Sequence, residues 1–64
     1  MYHRAIIQND DGTTGETIAT ADSYLNLETA ARDEMAKRGI RRVRFETSDD
    51  GEVWEYLEQP RFAT

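Results

Sequence analysis

Two alternating apolar runs flank Ser48-Asp49-Asp50-Gly51, and this stretch constrains the chain more than any other. Residues 43–58, VRFETSDDGEVWEYLE, read as a β-hairpin. The alternation has the period of strands, and the Ser-Asp-Asp-Gly cluster has turn chemistry, with glycine free to take a positive φ. If Thr47 pairs with Glu52 across a four-residue loop, Phe45 falls opposite Trp54 and Val43 opposite Tyr56. That register lines up these four large apolar side chains on one face and sets Arg44 opposite Glu55 on the other. A slip of one residue would seat Glu55 between Val43 and Phe45, which the cost of burying a charge opposes.

The remaining elements follow in order. Tyr2 to Gln8 contains Ile6-Ile7 and suits a first strand, and Asn9-Asp10-Asp11-Gly12 with Thr13-Thr14-Gly15 is a turn. Glu16 to Thr20 is a short second strand with Ile18 pointing inward. Asp22 or Ser23 caps a helix that runs to about Arg38, with Asn26 as an alternative cap and Gly39 in the terminating position. Tyr24, Leu27, Ala31 and Met35 recur at helical spacing as a narrow apolar stripe. Acid-to-base pairs Glu28–Arg32, Asp33–Lys37 and Glu34–Arg38 sit four apart, each worth about 0.2–0.5 kcal/mol on a surface. Ile40 opens the third strand. The fourth closes at Glu58-Gln59-Pro60, because proline cannot continue a ladder.

The order ββαββ predicts an α+β fold: an antiparallel four-stranded sheet with one helix packed on one face. Residues 1–64 form a single domain, with 61–64 as a loose tail. The expected core is Ile6 (or Ile7), Ile18, Leu27, Ala31, Met35, Val43, Phe45, Trp54 and Tyr56. The expected open face carries Arg42, Arg44, Glu46, Val53, Glu55 and Leu57, and a weak dimer through that face is the expected alternative to a monomer.

Chemistry-bearing constellations are sparse. There is no cysteine, so neither a disulfide nor a thiolate metal site is available. The absence of cysteine is compatible with an intracellular, reducing compartment. The longest apolar run, Ala5-Ile6-Ile7, is far short of a membrane span, and the N-terminus lacks the long apolar segment of a signal peptide. No nucleophile elbow, phosphate-binding glycine loop or metal-spaced histidine pair is present. The lone histidine, His3, reads as an exposed strand residue. Asp10-Asp11 and Asp49-Asp50 read as turn formers, since they lack the alternating ligand series of a calcium loop. The expectation is a protein with no catalytic residue, no metal and no cofactor.

Charge is the one functional signal. The net charge is −5, so the molecule as a whole repels nucleic acid unless its charges are segregated. Lys37, Arg38, Arg41, Arg42 and Arg44 cluster within eight residues, and Arg41, Arg42 and Arg44 are the candidates for phosphate contact, with Tyr2, Trp54 or Tyr56 to stack bases. Against them stands an acid-only run of six residues: Glu46, Asp49, Asp50, Glu52, Glu55 and Glu58. These are the candidate partner-binding residues. On a strand, side chains of one face repeat about every 6–7 Å, near the phosphate spacing of a nucleic-acid strand, so a row of carboxylates suits DNA mimicry toward a basic protein. The plainer reading is an edge guarded against aggregation.

By element, the chain presents Glu16-Thr-Ile-Ala-Thr-Ala as a strand and a capped helix near Asn26-Leu27-Glu28. Arg44-Phe-Glu-Thr, a glycine turn, and the returning Trp54 and Tyr56 follow. Over residues 16–57 this resembles the small phage-encoded anti-CRISPR proteins that inhibit type I interference complexes. That group is united by function rather than by a motif, so the resemblance assigns no individual residues. It implies a non-enzymatic viral inhibitor, working in the cytoplasm of an infected bacterium, that occupies the nucleic-acid path of a basic effector complex through protein–protein contacts. Tyr2-His-Arg-Ala-Ile-Ile-Gln-Asn-Asp-Asp-Gly is also similar to the opening strand and turn of HicB-like antitoxins. The Pro-Gly segment expected after the second strand of that family is missing, since Pro60 is the only proline.

Overall fold

A computed structural model describes residues 1–58, with Glu58 described by its backbone alone. The strands are β1 (Tyr2–Gln8), β2 (Thr14–Ala21), β3 (Val43–Ser48) and β4 (Glu55–Glu58), and a helix, α1 (Tyr24–Arg38), joins β2 to β3. All three strand pairs are antiparallel, in the order β2-β1-β3-β4, and α1 covers one face. This is the expected ββαββ arrangement. The expected closure of β4 at Gln59-Pro60 and the tail at 61–64 lie outside the described residues.

Local chemistry accounts for the boundaries. In the β1–β2 turn the Asp11 carboxylate accepts from the backbone and the hydroxyl of Thr13, at 3.0 and 2.6 Å, and Gly12 takes φ +90°. Ser23 is the helix cap, its hydroxyl accepting from Asn26 N at 3.3 Å. Gly39 ends the helix at φ +66°, in the left-handed conformation that glycine takes without a Cβ penalty. Ile40 N then donates to Met35 O. Ile40 is therefore part of the helix terminus, and β3 begins at Val43 rather than at Ile40.

Leu27, Ala31 and Met35, one side chain per turn of α1, bury against Ala5, Val43 and Phe45. Tyr24 meets the Phe45 ring edge-on, with centroids 5.4 Å apart. Ala5 sits opposite Phe45 and Ile6 opposite Arg44, so Ala5 belongs to the helix side and Ile6 is buried on the other face. Residues Ala19 and Thr17 pair with Ala5 and Ile6 in turn, and the skipped Ile18 packs with Ala19 against the core. On the helix surface Lys37 pairs with Glu34, and Arg38 reaches across to Glu16 on β2 at 3.0 Å instead of taking Glu34.

The second hairpin differs from the sequence expectation, and the difference rearranges one face of the molecule. Thr47 pairs with Glu55, not Glu52, and Glu46 with Tyr56. Seven residues, 48–54, thus lie between Thr47 and Glu55 instead of four, with 49–54 forming the turn outside the strands. An offset of three positions (52 to 55) is odd, and every odd shift exchanges the two faces of a strand. Trp54 and Tyr56 are therefore not core residues. Trp54 is partly covered in the turn, and Tyr56 is exposed. Leu57, expected outside, packs against the core, and Glu55 faces Thr47 on the helix side. Arg42 precedes β3, and Val53 is exposed in the turn, so of the expected open face only Arg44 and Glu46 hold their places.

Asp50 is the physical cause of the longer loop. Its Oδ1 accepts from Glu52 N at 2.8 Å, from Val53 N at 3.1 Å and from Ser48 Oγ at 3.1 Å. Gly51 N in turn donates to Ser48 Oγ at 2.8 Å. The Asp50 carboxylate and the Ser48 hydroxyl together thereby satisfy the donors of a closed loop over 48–53.

Candidate functional site

Sheet pairing sorts the charges to two ends. His3 pairs with both Ala21 and Thr47, so the start of β1, the end of β2, the start of α1 and the 49–54 turn share one end. Gln8 N donates to Arg42 O, so the β1–β2 turn and residues 39–42 share the other. The first end holds Asp22, Asp49, Asp50, Glu52 and Glu55, all exposed. The second holds Lys37, Arg38, Arg41 and Arg42, where Asp10 and Glu16 face Arg42 and Arg38 at 3.8 and 3.0 Å. Among the described residues, no ion pair involves any of the five acids of the first end.

Within that end the acids differ. Asp50 is committed to the turn; the backbone donors of Glu52 and Val53, then the Ser48 hydroxyl, hold its carboxyl below the usual aspartate range. It stays charged, with one oxygen occupied. Asp49 and Glu52 are exposed, and Glu55 is exposed at the start of β4. The side chain of Glu58 lies outside the described residues.

Glu46 stands apart from the other candidates. It is 8% exposed, with Oε1 2.6 Å from Arg4 Nη2 and 2.8 Å from Arg4 Nε, and Oε2 3.2 Å from Arg44 Nε. Arg44 Nε is close enough to Glu46 for a charge contact but is not aligned as a hydrogen bond. The two guanidiniums are in turn covered by aromatic rings, Arg4 by Trp54 at 4.1 Å and Arg44 by Tyr56 at 4.8 Å from ring centroids. The open face is thus a continuous row, Trp54–Arg4–Glu46–Arg44–Tyr56. Glu46 neutralises arginines here and is not offered to a partner. The same contacts remove Arg44 from any shared phosphate-binding strip with Arg41 and Arg42.

Sequence reasoning missed Arg4, Asp22 and the stacked row, because each needs the register of strands far apart in the chain. His3, expected to be exposed, is half-buried, and its Nδ1 is sheltered without a hydrogen-bond partner. Among the described residues, no group of three His, Asp or Glu side chains is placed to hold a metal ion, and no helix is long and apolar enough to cross a membrane. Comparison with protein-family models, curated proteins and solved structures found no match. The site's chemistry therefore rests on its own geometry.

Proposed function

We propose that this chain is a non-enzymatic inhibitor that docks its acidic end on a basic, nucleic-acid-handling protein complex and blocks access of DNA to it. The carrying observation is the end formed by Asp22, Asp49, Asp50, Glu52 and Glu55, exposed and without a basic partner. None of the ion-paired bases among the described residues pairs with these acids, and such a row of carboxylates suits a lysine- and arginine-rich surface. The resemblance to type I anti-CRISPR proteins names the kind of complex to try. Of the six acids singled out in the sequence, Asp49, Glu52 and Glu55 carry the reading. Asp50 contributes charge while holding the turn, and Glu46 supports the fold.

The test is capture of a purified type I interference complex, followed by DNA binding with and without the protein. Asp49→Lys, Glu52→Lys and Glu55→Lys together should abolish capture and restore DNA binding while leaving the melting temperature nearly unchanged. Arg41→Glu with Arg42→Glu should leave capture intact. Association should also slow by an order of magnitude or more between low and high salt. Loss of binding only in the arginine variant would identify a phosphate-binding protein instead. Binding to a toxin and to no interference complex would favour the HicB-like antitoxin reading.

A further inference from the structure

Where the acidic end meets the open face, the surface forms a cleft of about 510 Å³, lined by Tyr2, Trp54, Asp22, Asp50, Thr20 and His3 among others. We propose that this cleft takes one arginine side chain of the partner, its guanidinium against the rings of Tyr2 and Trp54 and its charge opposite Asp22 and Asp50. The inference rests on the partner being basic, as proposed above, and identifies the anchor point of that interface.

Three observations carry it. First, the two carboxylates lining the cleft are unpaired: among the described residues neither Asp22 nor Asp50 has an ion-pair partner, and no lysine or arginine lines the cleft. Asp50 spends Oδ1 on the turn, and its Oδ2 makes none of these bonds. Second, the walls are aromatic. Tyr2 and Trp54 both line the cleft, and the Arg4 guanidinium that lies 4.1 Å from the Trp54 ring centre is not itself among the lining residues. Third, the Tyr2 ring lies beside the turn: a Cβ at Gly51, whose φ is +83°, would come within 3.6 Å of Tyr2 Cε2.

Other cations fit less well. A divalent metal asks for about six oxygen ligands or more, and no group of three His, Asp or Glu side chains among the described residues is placed to hold one. An ammonium is compact and strongly hydrated, whereas a guanidinium is planar, weakly hydrated and stacks on aromatic faces. Pockets of mixed apolar walls and a few convergent polar groups are the usual form of such specificity sites.

Trp54 is the only tryptophan, so its fluorescence reads the cleft directly. The full chain is titrated with acetyl-Gly-Arg-Gly-amide and with the same peptide carrying uncharged citrulline. The expected result is a saturable change with the arginine peptide, at least tenfold weaker with citrulline, and weakened at least fivefold by Asp22→Asn and by Tyr2→Leu. Asp22 is exposed and makes no ion pair, so its variant keeps the test valid should loss of Tyr2 unsettle the turn. Unsaturable quenching, equal affinity for both peptides, or wild-type binding by Asp22→Asn overturns the proposal. An arginine peptide that binds while no interference complex does leaves the cleft standing and rejects the function. Capture of the complex equally by wild type and Asp22→Asn does the reverse.

Discussion

The guanidinium of Arg4 lies 4.1 Å from the centre of the Trp54 ring, and the only tryptophan thus sits on the open face rather than in the core. The ring closes one end of a row that continues through Glu46 and Arg44 to Tyr56. Trp54→Ala should therefore cost about 1–2 kcal/mol, the scale of a partly covered cation–π contact. Phe45→Ala, which empties a fully buried site, should cost about 3–5 kcal/mol. Urea denaturation of the two variants measures the difference, and equal losses would return Trp54 to the core.

Glu46 holds two guanidiniums whose side chains are only 25% and 26% exposed. Glu46→Gln leaves both cations half-buried without a counter-charge, and the expected loss is about 1–3 kcal/mol. Glu52→Gln, on the exposed turn, should change stability by less than about 0.5 kcal/mol. The comparison separates a carboxylate that builds the fold from one that is free to meet a partner.

Asp50 gives the turn a pH dependence of known sign. Its folded pKa is depressed by the Glu52, Val53 and Ser48 donors, so its stabilising contribution is fully present above the ordinary aspartate value of 3.8 and is lost as pH falls through the lower folded value. Asp11, held down by the Thr13 hydroxyl and then by Thr13 N, acts in the same direction. Thermal melts from neutral to strongly acidic pH should show a decline that is shallower in Asp50→Asn. An unchanged slope would show that Asp50 does not hold the turn.

Gly39 terminates α1 at φ +66°, and a Cβ there would meet no atom within 4 Å. The cost of Gly39→Ala is thus purely conformational, about 1–2 kcal/mol. Gly39→Asn, a residue that visits this region more readily, should lose less. Denaturation midpoints rank the three chains.

Much of the fold was legible from local residues. Ser23 and Gly39 bound the helix, Leu27, Ala31 and Met35 name its buried stripe, and the Asn9–Thr13 cluster marks the first turn, because caps, periodicity and turn chemistry act within a few residues of one another. The candidate acids were legible as a run of charge, since composition needs no fold. The faces of the second hairpin were not. Alternation in residues 43–58 establishes that two strands pair, but which side chains go inward depends on whether the loop takes an even or an odd number of residues. The hydrogen bonds of Asp50 decide that, and they moved Trp54 and Tyr56 outward and Leu57 inward. Nor can a chain pattern say that Glu46 meets Arg4, forty-two positions away. That pairing, which turned one candidate acid into part of the scaffold, exists only because β1 lies between β2 and β3, and tertiary packing alone brings the two charges into one desolvated row.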